Sequence, residues 1–533
     1  MRKRMAGLAL AGTGTVLALI AARAWGADAH APADAGAAIF AASCAGCHGA
    51  DLSGGRGPSL FDPALFQRLT DPVLHETIEK GVKDSEMPPF AGALESAQID
   101  AVIAYMHSRS AELARGAAPT SGAPASASVI GPPPNPDGQR IHGETQDIQL
   151  ETLVGDLDTP YGLSFLPDGR LLVTERAPIG NLRLIDPSGR QPPARITGLP
   201  AIHQGQDAGL LDVAVGPDHA KDGWIYLAYS ESDPSAPEPP PPPPGAAGTP
   251  GFRVQRKPSA TVIVRGRIDA ENRWVDQQDI FRAPWSVYTP SGAHYGARIL
   301  FDGKGHLFFA LGERGEMKNA QDLGTPLGKV HRVNLDGSIP ADNPFLRTPG
   351  AVPSIWSYGH RNPEGLAIDP ATGLLWESEH GPVGGDEINI IERGGNYGWG
   401  VVSKGMQPGI EDVRAAGMVE PVAWYFPTIA PSGIAFYNGD RYAGWKGALF
   451  VTALRGQQLR RLTVQGRRVT SQEVLFSNLG RVRALATGPD GLLYVLITDP
   501  TGPGWDVGFT DPVRGALVRL NPITWQQAEF KFQ

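Results

Sequence analysis

One short phrase returns six times in this chain, and it restricts the fold more than any other feature. Residues 161–173 run Tyr-Gly-Leu-Ser-Phe-Leu-Pro-Asp-Gly-Arg-Leu-Leu-Val, which reads as strand, tight turn, strand. Versions of it recur at 209–218, 297–305, 364–370, 432–437 and 483–491. Such a unit cannot bury its apolar face alone. Six of them arranged about one axis can, which predicts a six-bladed β-propeller with insertions in some loops. A two-sheet sandwich also suits Gly-rich β sequence, but it gives no reason for six similar phrases. The proline tract at 237–244 interrupts the second unit and reads as a solvated loop.

At 533 residues the chain is too long for one small domain, and leaves several hundred residues for a second. Residues 1–31 carry Arg2-Lys3-Arg4, an apolar run and a small-residue exit, the pattern of a secretory signal. The run is long enough to stay as an anchor, and membrane contact is expected only if it remains uncleaved. Residues 32–115 contain both cysteines, in Cys44-Ala45-Gly46-Cys47-His48. That spacing reads as covalent c-type haem attachment, with His48 as an axial ligand. No second Cys pair exists to complete a zinc site. Met87, in Met87-Pro88-Pro89, is the expected second iron ligand; Met106, His75 and His107 fall on segments that read as helix.

Residues 116–145 are rich in Ala, Pro, Ser and Gly and read as a semi-stiff tether. The fold class is therefore multidomain: a small all-α cytochrome c domain, then an all-β six-bladed propeller over 146–533. A net charge of −8 without basic blocks gives no support for nucleic-acid binding.

Several polar stretches in the β zone are too dense for surface filler. They include Gly359-His360-Arg361-Asn362-Pro363, Glu379-His380-Gly381-Pro382 followed by Asp386-Glu387-Ile388-Asn389, and Ser291-Gly292-Ala293-His294. The first region, 32–115, resembles a class I cytochrome c. The region from 146 to about 522 resembles the soluble quinoprotein sugar dehydrogenases of the glucose/sorbosone family, nearer the aldose branch. Those enzymes are six-bladed propellers using pyrroloquinoline quinone (PQQ) and calcium.

The resemblance implies His294 as general base and Arg361 as the cation beside the quinone oxygens. It implies cofactor contacts at Asn362, Thr428, Arg455, Arg481 and Arg483, and weakly at Gln206, next to Asp207 where the family has glutamine. A tricarboxylate suits guanidinium partners. Calcium is implied at the backbone carbonyls of Gly381 and Pro382, with a second site at Glu387 and Tyr397. Glu313 and Glu364 depart from the commoner Asp and Gln. The function expected is an exported dehydrogenase oxidising an aldose, passing electrons through its own haem to a downstream periplasmic acceptor. A sorbosone- or pyranose-type quinoprotein, or a non-enzymatic docking module bearing a cytochrome, are the alternatives.

Overall fold

The computed structural model describes residues 36–37, 39–40, 43–44, 60, 69–81, 90, 94–116, 135–176, 180–240, 256–382, 384–405, 407, 409–410, 413–426, 428–499 and 514–523. The chain divides into two compact units, 1–123 and 124–533.

In the first unit, helix α1 (Asp71–Lys80) begins at a proline beneath Thr70 and ends at Gly81, where φ is +67°. Helix α2 (Ser96–Gly116) presents Ile99, Val102, Ile103 and Met106 to Leu74, Ile78 and Phe40. Cys44 packs against this cluster, and its N–H donates to the Phe40 carbonyl at 2.8 Å. Met106 is buried core, while His75 and His107 bond Ser96 and Asp71. Cys47, His48, Met87 and the N-terminal signal lie outside the described residues. No helix among the described residues is long and apolar enough to cross a membrane.

The second unit is a six-bladed propeller. Blade 1 has strands Pro160–Phe165, Leu171–Glu175, Asn181–Ile185 and Ala194–Ile196. Blade 2 has Leu210–Val215, Ile225–Ser232, Ser259–Ile268 and Trp274–Phe281, and blade 3 has Ile299–Phe301, His306–Leu311, Lys329–Asn334 and Ile355–Tyr358. Blade 4 has Pro363–Ile368, Leu375–Glu379, Asp386–Ile391 and Ala423–Tyr425, and blade 5 has Pro431–Phe436, Leu449–Ala453, Gln458–Gln465 and Arg468–Ser477. Blade 6 takes Arg481–Thr487, Leu493–Thr498 and Arg514–Pro522 from the C-terminal end. Its outer strand is Ile148–Asp158, which pairs antiparallel with Arg514–Pro522 and closes the ring. The short strand Arg140–Ile141 pairs outside it, so paired backbone begins within the segment read as a tether.

Each recurring phrase supplies the innermost strand of one blade. Apolar residues on both strand faces fill the space between neighbouring sheets, as in the cluster of Tyr226, Ile263, Phe309 and Leu311. The glycines in the phrase answer a close approach. A Cβ at Gly365 would sit 2.3 Å from the Ser432 carbonyl, and one at Gly162 would sit 2.3 Å from an Asp212 carboxylate oxygen.

Each blade contributes one polar side chain around the axis, from within its inner strand or, for Arg298, from the residue just before it: Tyr161, Asp212, Arg298, Glu364, Ser432 and Arg483. These six interlock. Arg298 donates to Asp212 at 2.9 Å and, through Nε, to the Glu364 carbonyl at 3.0 Å. Glu364 Oε2 accepts from Arg483 at 2.9 Å, Tyr161 at 3.1 Å and Ser432 at 3.3 Å.

Candidate active site

In an antiparallel four-stranded blade, the entry to the first strand and the link between the second and third strands lie at one end. Most candidate residues come from these two kinds of loop or from the strand ends beside them, which the topology gathers on one face of the ring; Tyr397 lies on the link between the third and fourth strands of blade 4.

His294 precedes the inner strand of blade 3. Its φ is +58°, a left-handed conformation that costs a non-glycine residue about 1–2 kcal/mol. The distortion is held from both sides. Gly312 packs so tightly that a Cβ there would meet the His294 carbonyl at 2.2 Å, and the His294 N–H approaches Asp207 Oδ2 at 3.4 Å. His294 Nδ1 lies 2.6 Å from Glu313 Oε2, on the second link of blade 3. That oxygen also accepts the Gly315 N–H at 2.9 Å. Burial opposes ionisation of Glu313 most strongly. The His294 ring, by charge and hydrogen bond, and Arg361 outweigh it and hold the carboxyl below its usual value. A carboxylate on Nδ1 fixes that nitrogen as the donor and leaves Nε2 to take a proton.

Arg361 joins this pair to blade 4. Its carbonyl accepts the Glu313 N–H at 2.9 Å, its own N–H donates to Glu379 at 2.6 Å, and its Nη1 donates to the His380 carbonyl at 3.2 Å. The guanidinium lies 5.3 Å over the Trp399 ring, and its buried Nε has no hydrogen-bond partner. Asn362 is nearly fully buried; its Oδ1 accepts from Gly296 at 3.1 Å and its Nδ2 donates to Glu364 at 3.0 Å.

A cationic group faces them. Burial, then the like charges of Arg483 and Arg176, pushes Arg481 down to about 9. Arg176 was not singled out in the sequence. It leaves the second strand of blade 1, donates through Nη1 to the Gln206 carbonyl and faces Asp207. Its signal was there to find: Glu175-Arg176 stands in the first repeat where Glu313-Arg314 and Glu379-His380 stand in the third and fourth. Gln206 and Asp207 both adjoin the His294 loop, since the Asp207 N–H donates to the Gly292 carbonyl at 3.0 Å. Arg483, 4.6 Å over the Tyr161 ring, is paired with Glu364. Burial opposes the charge of Glu364, but Arg483, His380 and Arg298 overcome it and hold that carboxyl low. Arg455 stands exposed on the second link of blade 5, which is tied to the Thr428 loop by the Leu454 N–H on the Ala430 carbonyl at 2.9 Å.

Asp386 organises the next sector, a role sequence reading missed. It accepts Thr428 Oγ1 at 2.7 Å, the N–H groups of Ile429 and Ala430 at 2.6 and 2.8 Å, and the Gly381 N–H at 2.9 Å. The Thr428 hydroxyl proton is thus directed at Asp386. Gly381, Pro382, Glu387 and Tyr397 line one small cavity with Arg361, Glu379 and Trp399. The Tyr397 hydroxyl donates to the Ile390 carbonyl at 2.6 Å, so the oxygen it can offer a cation is its backbone carbonyl. Behind this cavity Asn389 Nδ2 meets the buried carboxylates of Glu377 and Glu379 and the half-buried one of Glu387, at 3.0, 3.3 and 3.2 Å. Burial, then the charge of Glu379, raises Glu377 and Glu387 well above the usual carboxylate range. Glu377 Oε1 and Asn389 Oδ1 are buried without partners. His360, Glu377 and Glu379 bring ligand atoms within 4.8 Å of one another.

The family model described as glucose/sorbosone dehydrogenase matches residues 157–504, well over half of the chain. The chain belongs to that dehydrogenase family. A second model, cytochrome c oxidase cbb3-type subunit III, matches residues 31–106 and makes the first unit a cytochrome c domain. An aldose sugar dehydrogenase of Escherichia coli is 38% identical over 364 residues, 67% of this chain and 91% of that protein. Quinoprotein glucose dehydrogenase B of Acinetobacter calcoaceticus is 26% identical over 447 residues, 68% of this chain and 88% of that one. Among solved structures, a PQQ-bound aldose sugar dehydrogenase of Streptomyces coelicolor matches 70% of this chain and 98% of its own at 26% identity and TM-score 0.53. This family member thus has a cytochrome c domain N-terminal to its propeller.

Proposed function

We propose that the propeller oxidises an aldose with PQQ as acceptor, calcium as its companion ion and the cytochrome c haem as outlet. The observation that carries this is the gathering of Arg176, Arg481 and Arg483 on the face that presents the His294–Glu313 pair. Guanidinium groups enclosed near one another repel, and a bound polycarboxylate relieves that repulsion. The donor set therefore fits PQQ, with Arg176, Arg481, Arg483 and Arg455 as carboxylate partners and Asn362, Thr428 and Gln206 beside them. The buried carboxylates of Glu377 and Glu379, with two orphaned oxygens on Glu377 and Asn389, fit a hard dication, and Gly381, Pro382, Glu387 and Tyr397 offer it further oxygens.

Bound PQQ supplies an ortho-quinone that accepts two electrons as hydride. The chain's own residues do the rest. His294 Nε2 takes the proton of the sugar hydroxyl, Glu313 holds the ring and stabilises the imidazolium, and Arg361 offers positive charge where oxygen becomes negative. Cys44 and Cys47 would carry the haem, and His48 and Met87 would ligate its iron. A tether of this composition raises the effective haem concentration to about the millimolar range. The signal read at residues 1–31 supports a periplasmic or extracellular address, with an electron acceptor downstream.

The test is optical. Haem-loaded protein reconstituted with PQQ and calcium should show a reduced-haem spectrum on adding glucose or another aldose, and none without PQQ. An oxidised spectrum across a broad aldose panel would overturn the reading.

A further inference from the structure

The six-residue ring in the axial channel contains two cations, Arg298 and Arg483, and two carboxylates, Asp212 and Glu364. All four charged members belong to one chain of contacts: Asp212 to Arg298 at 2.9 Å, Arg298 to the Glu364 backbone at 3.0 Å, and Glu364 to Arg483 at 2.9 Å. Tyr161, Asp212, Glu364 and Ser432 are each less than 10% exposed. Charge in such a place persists only where it is matched. Glu364 is the member that joins the ring to the proposed quinone site, because Oε2 takes Arg483 while Oε1 takes Asn362 at 3.0 Å.

We infer that Glu364 is a positioning residue whose negative charge sets how strongly this site captures its anionic cofactor. The inference rests on the PQQ reading above. Two consequences of one carboxylate oppose each other. It aims Arg483 and Asn362, and it keeps the empty channel electrically balanced. It also cancels part of the Arg483 charge and stands near the place of an anion, which weakens capture. Glutamine has the same shape and can still accept from Arg483 and Tyr161, but it carries no charge. A chain with glutamine here would hold a cofactor more tightly and tolerate its loss less well. Glutamate makes the empty protein durable at the cost of affinity.

The test compares full-length, haem-loaded, quinone-free wild type with Glu364→Gln by calorimetric titration of PQQ in calcium buffer, alongside melting of both empty proteins. Glu364→Gln is expected to bind PQQ on the order of tenfold more tightly. Its empty form is expected to melt several degrees lower, since one buried cation loses its partner. The double variant Glu364→Gln/Arg483→Gln, neutral at both positions, is expected to recover the melting temperature and lose the gain in affinity. It also keeps the inference testable if the single variant folds poorly, because binding about tenfold tighter than the wild type's by the double variant, which lacks the Arg483 charge, would overturn it. Equal or weaker PQQ binding by Glu364→Gln overturns the inference alone. A wild type that binds no PQQ overturns the functional reading and this inference with it.

Discussion

Glu313 Oε2 stands 2.6 Å from His294 Nδ1, and both side chains are nearly sealed from solvent. A carboxylate there decides which ring nitrogen is free. Glu313→Gln removes the charge but keeps the shape, so kcat should fall on the order of tenfold or more with little change in KM. Steady-state kinetics check this. Stability gives a second readout. The folded carboxyl lies below its usual value, so its contribution is present above pH ~4.3 and lost as pH falls through the lower folded value. Wild-type and variant melting curves should therefore converge in acid.

Arg481 makes a prediction of opposite signs. It is pushed down to about 9 by burial and by its like-charged neighbours, so the empty protein bears a cost for it. Arg481→Met should raise the melting temperature of the quinone-free protein. It should also weaken PQQ binding by about 10- to 100-fold, the worth of one charge-assisted hydrogen bond. Thermal scans and titration of the same samples decide it.

Asp386 ties the Gly381 loop to the Thr428 loop through four donors, two of them the N–H groups of Ile429 and Ala430. Asp386→Ala leaves those donors unmatched and should cost about 2–4 kcal/mol of stability. Urea titration measures that loss. Millimolar calcium should raise the wild-type melting temperature and raise that of Glu387→Gln much less, because the oxygen-rich cavity loses a charged ligand.

Lys329 is fully buried and donates to the carbonyls of Asn319, Ala320 and Leu327 at 2.6, 3.1 and 2.7 Å. Burial pushes its ammonium down to about 7. The unfolded chain then binds the extra proton between pH ~7 and ~10.4, so this residue makes stability rise with pH across that window. Lys329→Met should flatten the rise, which melting in buffers from neutral to alkaline will show.

The ring of blades was legible because the phrase returns six times and in several blades couples a glycine to a close approach. Gly365 beside Ser432 and Gly162 beside Asp212 leave a mark in the sequence that survives loop insertions. His294, Arg361 and Arg483 were singled out by resemblance, through dense polar stretches at or beside the entries to inner strands. Arg176, Asp386 and the hub at Glu364 were not. Their partners lie in other blades, as with Glu364 and Arg483 at a separation of 119 residues, and spacing along the chain carries no trace of such a meeting. Aligning the six second-strand exits would have exposed Arg176.

The strand Ile148–Asp158 lies against Arg514–Pro522, so the two ends of the propeller sequence meet in one sheet. During synthesis, Ile148 must wait for Pro522, its register partner, to emerge. Any nascent or truncated product lacking that last strand carries a raw β edge of eleven residues, open to other chains. The circle therefore closes only once Arg514–Pro522 has been made, and a stop codon shortly before it should yield aggregates in place of a smaller wheel.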